Sequence, residues 1–251
     1  MCGIVGYIGQ REAYPILING LHRLEYRGYD SAGVALIDSG CGLNIYKSKG
    51  KVNDLESVCS SRDTEGTVGI AHTRWATHGE PNDTNAHPHA GNSGNIAMVH
   101  NGTIENYAVL REFLINNGCV FQSETDTEVL VCLIEYLKNH DGCTLYEATR
   151  QALKRVVGAF AIAVIDRENP DTVICARRSS PLAIGLGDNE YFMASDASPI
   201  IEYTNKIIYL DDDQIAIITR ESPIEVFNLE NETVEPPVQQ IDLDIAQLEK
   251  G

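Results

Sequence analysis

Ala159-Phe160-Ala161-Ile162-Ala163-Val164-Ile165 is the longest apolar run in a chain of 251 residues. It falls well short of the ~20 residues a membrane-spanning helix needs, and it suits a strand buried in a core. Upstream lie two helix starts, Thr125-Asp126-Thr127-Glu128 and Thr144-Leu145-Tyr146-Glu147. Each sets a threonine three residues before a glutamate, the spacing of a capping box, in which side chains satisfy the first backbone N–H groups of a helix. The spacing predicts helices over 125–138 and 144–157. A third helix is expected over 104–117, stopped by Gly118. A fourth is expected over 11–27, where Ile16, Leu17, Leu21 and Leu24 share one face and Gly28 caps the end.

Further out the pattern turns to short apolar segments. Before the central helices, strands are predicted over 2–8, 32–38, 43–46, 68–73 and 96–100. After the run they are predicted over 173–176, 182–186, 191–194, 207–210 and 214–219. Residues 74–94 hold Gly79, Pro81, Pro88, Gly91 and Gly94. They read as a long loop, and long loops inside compact domains usually carry function. Strict strand–helix alternation is absent, which argues against a doubly wound parallel sheet. Two mainly antiparallel sheets packed face to face with outer helices, an α+β class, fit better. From residue 228 the periodicity fades into Glu, Pro and Gln. The expected organisation is therefore one domain over 1–227 and a linker over 228–251.

Composition narrows the function classes. Nineteen basic residues face 36 acidic ones, a formal charge of −17. That field repels polyanions, so no nucleic-acid partner is expected. The chain shows no charged-then-apolar leader, and no membrane association is expected. Seven cysteines with no C-x-x-C unit suggest reduced thiols and a cytoplasmic protein. Five of seven histidines fall within residues 72–100, yet none has metal-ligand spacing, so no metal is expected. Nucleotide-binding glycine patterns are incomplete as well. Gly50-Lys51 is followed by Val52, and Gly185-Leu186-Gly187 lacks a third glycine, so no cofactor is expected.

Four places carry candidate chemistry. Free cysteines are mostly small buried hydrophobes. Cys2, however, gains a free α-amine if Met1 is removed, and one residue then supplies both nucleophile and base. Gly3 beside it lets backbone and substrate come close. In His72-Thr73-Arg74-Trp75-Ala76-Thr77-His78-Gly79, the Arg74 fork suits a carboxylate, and Trp75, the only tryptophan, suits a lid. Asn101-Gly102 is a turn signal, and equally a pair of donors for an oxyanion. Asp126 complements a helix dipole, or pairs with a substrate ammonium.

Taken jointly, Cys2-Gly3-Ile4-Val5-Gly6, Leu24 to Gly33, His72 to Gly79, His100-Asn101-Gly102 and Ser123 to Glu128 resemble the N-terminal-nucleophile (class II) glutamine amidotransferase domain. The likeness runs from Met1 to about residue 225 and is nearest the branch found in glutamine–fructose-6-phosphate aminotransferase. The resemblance implies a four-layer αββα sandwich, the N-terminal-nucleophile hydrolase fold. It implies that Cys2 attacks the side-chain amide of L-glutamine, with Asn101 and the Gly102 N–H holding the oxyanion. Arg74 then grips the α-carboxylate and Asp126 the α-ammonium. Thr77 and His78 line the pocket, Trp75 lies on the closing loop and Arg27 sits near the nucleophile. It further implies an ammonia-accepting sugar-phosphate isomerase domain elsewhere in the full-length protein, which acts as a homo-oligomer. Three alternatives stay open: a different acceptor domain, an amidase for another amide, and a non-catalytic amino-acid-binding domain.

Overall fold

The computed structural model describes residues 2–76 and 79–241. Met1, Thr77, His78 and residues 242–251 lie outside them. The fate of Met1 and the expected pocket positions of Thr77 and His78 are therefore beyond the described residues.

Among the described residues fifteen strands make two antiparallel sheets. They are β1 (Gly3–Ile8), β2 (Ser31–Ile37), β3 (Leu43–Lys49), β4 (Val68–Arg74), β5 (His89–Ala90), β6 (Ile96–Ile104), β7 (Gly158–Asp166) and β8 (Thr172–Arg178). There follow β9 (Ala183–Leu186), β10 (Tyr191–Ala194), β11 (Lys206–Tyr209), β12 (Gln214–Thr219), β13 (Glu225–Asn228), β14 (Thr233–Val234) and β15 (Val238–Gln240). The first sheet runs β15-β11-β9-β10-β1-β4-β2-β3, and the second β14-β13-β12-β8-β7-β6-β5. The helices are α1 (Ala13–Leu24), α2 (Val52–Cys59), α3 (Tyr107–Asn116), α4 (Asp126–Asp141) and α5 (Leu145–Arg155).

Both sheets are apolar on both faces, which is why central strands such as Ala159–Ile165 show no polar alternation. In β1, Ile4 and Ile8 face the second sheet while Val5 and Tyr7 pack under α1. In β7, Ala161, Ala163 and Ile165 fill the space between the sheets, while Phe160, Ile162 and Val164 meet α4 and α5. Three cores thus separate four layers, helix–sheet–sheet–helix, as the sequence suggested. The second sheet lines its inner face with small side chains (Ala97, Ala161, Ala163, Cys175 and Ala216) alongside Val99, Ile165, Val173, Ile218 and Val226. The two sheets can accordingly pack closely.

Several boundaries moved. The helix expected over 11–27 is α1 followed by a 3-10 turn over Glu25–Arg27, and Gly28 adopts φ 92°, ψ 146° rather than a left-handed helical cap. The helix expected from 104 starts at Tyr107, because β6 runs on to Ile104. The Thr144–Glu147 box forms in full. That at Thr125 forms in half: its Oγ1 accepts from the Glu128 N–H at 3.2 Å, while the Glu128 carboxylate turns to the N–H groups of Gln122 and Ser123. Residues 228–241, read as linker, stay on the body of the protein. β14 pairs with β13, β15 pairs with β11, and Ile241 packs beside the α1 core. Among the described residues no helix is long and apolar enough to cross a membrane, and the seven cysteines are free.

Candidate active site

Cys2 sits at the entry to β1 in the first sheet, and Asn101 lies on β6 in the second. The site forms where the two sheets meet. A cavity of about 370 Å³ opens there, lined by Cys2, Arg27, Arg74, Asn101, Gly102 and Asp126 among others. Six sequence candidates thus converge although they span residues 2 to 126. Trp75 also borders it.

The Cys2 sulfur accepts the Trp75 N–H at 3.1 Å, and its S–H reaches the Trp75 carbonyl at 3.4 Å. Burial pushes the thiol above its ordinary range, with the Trp75 N–H and the Arg74 charge acting in the opposite direction. A raised thiol needs a base to become a nucleophile. Gly3 proves to be a packing requirement rather than an opening for substrate: a Cβ there would lie 2.7 Å from Thr73 Oγ1 and 2.8 Å from Leu24 Cδ1.

Asn101 donates through Nδ2 to the Cys2 carbonyl at 3.3 Å, and its Oδ1 lies 2.9 Å from His72 Nε2. Gly102 follows at φ 129°. The pair is not a turn; it lies within the ladder of β6 and β7, where Gly102 faces Phe160.

Arg74 ends β4 with its side chain buried. Burial pulls its pKa down, opposed by the charges of Asp30, Cys2 and Asp126, and a guanidinium remains charged at neutral pH. Asp30 clamps the segment that carries it. Its N–H donates to the Arg74 carbonyl at 2.7 Å and its Oδ2 accepts the Ala76 N–H. Asp126 opens α4, buried, with Oδ2 accepting the Ile104 N–H at 2.7 Å. A cation and an anion therefore border one pocket, which matches a zwitterionic α-amino acid.

Arg27 turns its Nη1 to Ser195 Oγ at 3.2 Å and to Asp196 at 3.1 Å. Trp75 is 55% exposed, and its indole lies over Gly28, where a Cβ would come within 2.9 Å of the ring. Positive φ and ring contact together require glycine there.

Sequence reasoning missed other lining residues. Thr103, Thr127, Ser180 and Pro181 border the cavity. Ser180 and Pro181 fall between the strands predicted over 173–176 and 182–186, and their residue types carry no chemical signal. His72, His87 and His89 form a buried column, with ring centroids 4.3 Å and 5.0 Å apart in turn. Burial lowers His72 to about 3 and drives the other two well below the usual value. All three are neutral rings. Among the described residues no group of three or more potential ligands is arranged to hold a metal ion.

A family model described as "Glutamine amidotransferase domain" matches residues 72–202. Glutamine–fructose-6-phosphate aminotransferase (isomerizing) of Bacteroides thetaiotaomicron is 59% identical over 251 residues, covering 100% of this chain and 41% of that protein. The protein of the same name from Chlorobaculum tepidum is 52% identical over 255 residues, with the same coverage. The chain thus spans less than half the length of these relatives. Among solved structures, the glutamine phosphoribosylpyrophosphate amidotransferase of B. subtilis, complexed with ADP and GMP, superposes with a TM-score of 0.77. It is 28% identical and covers 92% of this chain and 50% of its own.

Proposed function

We propose a reaction for this chain, which belongs to the glutamine amidotransferase domain family and has the α+β N-terminal-nucleophile hydrolase fold: hydrolysis of L-glutamine to L-glutamate and ammonia through a thioester on Cys2. The observation that carries it is Cys2, whose backbone carbonyl accepts the Asn101 amide N–H at 3.3 Å, in a pocket bordered by Arg74 on β4 and Asp126 on α4.

Removal of Met1 exposes the α-amine of Cys2, which takes the thiol proton as the sulfur attacks the side-chain amide carbon. The carbonyl oxygen becomes an oxyanion held by Asn101 Nδ2 and the Gly102 N–H. The amine returns the proton to the departing nitrogen, the C–N bond breaks and ammonia leaves. Water, deprotonated by the same amine, then cleaves the thioester. Glutamate departs and the thiol is restored.

Arg74 holds the α-carboxylate and Asp126 the α-ammonium, so a peptide-bound glutamine loses both anchors. Trp75 closes over the substrate, and Arg27 braces the entrance through Asp196. In the full-length protein the ammonia passes to a sugar-phosphate isomerase domain that aminates fructose 6-phosphate, within a cytoplasmic homo-oligomer.

The test is ammonia release from glutamine by the purified chain, with the N-terminal mass measured on the same sample. Protein lacking Met1 should release ammonia, and a form with a blocked Cys2 amine should not. Equal release by the blocked form would refute the single-residue nucleophile and base.

A further inference from the structure

We infer that His72 is a positioning residue: its Nε2–H, donated across the gap between the two sheets to Asn101 Oδ1 at 2.9 Å, fixes the Asn101 amide with its NH₂ toward Cys2. The inference rests on the glutaminase reading and deepens it.

An asparagine amide can face either way, and only one way serves an oxyanion. Turned about, Asn101 would present its oxygen to the Cys2 carbonyl and to any oxyanion beside it, two acceptors meeting without a proton. The observed orientation needs a donor behind Oδ1. His72 supplies one only as the Nε2–H tautomer, and two features together select that form. The ring lies buried on the inter-sheet side of β4, and desolvation keeps it from a second proton. Its Nδ1 has no hydrogen-bond partner among the described residues. A buried orphan N–H is rarer and costlier than an orphan acceptor, which places the single proton on Nε2. The ring plane is held by His87, whose centroid lies 4.3 Å away at 30°.

His72 stands on the first sheet and Asn101 on the second, so this contact also pins the oxyanion donor to the sheet that carries the nucleophile. His72 does not line the cavity, and its removal should slow chemistry rather than weaken binding.

Three variants separate this role from generic packing. In His72→Gln the amide nitrogen reaches the position of Nε2. In His72→Asn it reaches only that of Nδ1. His72→Phe keeps the ring and loses the donor. The expected kcat for glutamine hydrolysis falls ~10²-fold in His72→Asn and His72→Phe, the scale of one lost oxyanion donor, with KM within about threefold. His72→Gln should stay within ~10-fold of wild type. In an Asn101→Ala background, His72→Asn should cost less than about threefold more, because both act through one amide. Full additivity in that background, a loss confined to KM, or wild-type kcat in His72→Asn overturns the inference. Thermal melts identify any variant that fails to fold, and the Gln–Asn contrast then decides alone. A separate measurement needs no turnover: long-range ¹H–¹⁵N spectra should show His72 as the Nε2–H tautomer down to pH 5, and an Nδ1–H form refutes the assignment. Should wild type release no ammonia, the glutaminase reading fails while the tautomer result still stands or falls by itself.

Discussion

The backbone N–H of Trp75 points at the sulfur of Cys2 across 3.1 Å. The loop residue expected to close over substrate and the nucleophile are thus joined before substrate arrives. Arg74 ends β4 and Trp75 follows it directly, so one strand end delivers both the carboxylate clamp and the contact to sulfur.

That sulfur should be indispensable. Cys2→Ala is expected to lower ammonia release from glutamine at least ~10⁴-fold, as losses of covalent nucleophiles do. The fold should survive, since one small side chain at the edge of the core changes. Ammonia assays and circular dichroism check both, and measurable wild-type-like turnover would transfer the role to another residue.

Asp126→Asn should raise KM about tenfold or more with a smaller change in kcat, because a charge partner of the substrate is lost in ground and transition state alike. The amide oxygen of asparagine can still accept the Ile104 N–H, so the helix start is preserved. An unchanged KM would leave Asp126 as a helix-dipole and backbone-binding residue only.

Gly28→Ala tests the lid seat. The new Cβ meets the Trp75 ring at 2.9 Å and forces alanine to φ 92°. The strained backbone should cost ~1–3 kcal/mol. Trp75 is the sole tryptophan, so its emission reports displacement directly. A shifted spectrum together with a lowered melting temperature is the expected result, and an unchanged pair would mean the ring is not seated on Gly28.

The buried histidine column should make the protein acid-sensitive. His72 is lowered from 6.5 to about 3, and His87 and His89 also titrate well below 6.5, chiefly through burial. The unfolded chain then binds more protons than the folded one, so stability falls as pH drops below 6.5. Each ring contributes up to ~1.4 kcal/mol per pH unit until its folded value is reached. Urea unfolding between pH 7 and pH 5 measures the slope. His87→Phe should flatten it, and an equally steep slope in that variant would argue against protonation of the column as the cause.

Much of this architecture was legible because strand and helix periods were clean. The apolar run in β7, the Thr144 box and the short apolar stretch of β1 each pointed to the observed element. What escaped had weak local marks. α2 begins at Val52 behind Lys51, which is no capping residue; the first turn is secured instead by Asp54 reaching back to the Lys51 N–H at 2.7 Å. β13 to β15 are short and largely exposed, so they carry little apolar pattern. Asn101-Gly102 looked like a strand end because its turn chemistry is strong locally, but pairing with β7 carries the strand through it. His72, in Ile70-Ala71-His72-Thr73, did carry a signal: a titratable ring at an inward strand position, which only the opposite sheet could explain.

The seam between the sheets, where Ala161 and Ala163 line one wall, has a bearing on rate as well as stability. Cys2 and Asn101 hang from opposite walls of that seam, so its thickness acts as the spacer setting how far the attacking atom stands from the group that receives the new charge. A bulkier residue at Ala161 or Ala163 would work like a shim. It would widen the reacting gap from deep in the interior, and turnover would drop with every first-contact side chain still in place.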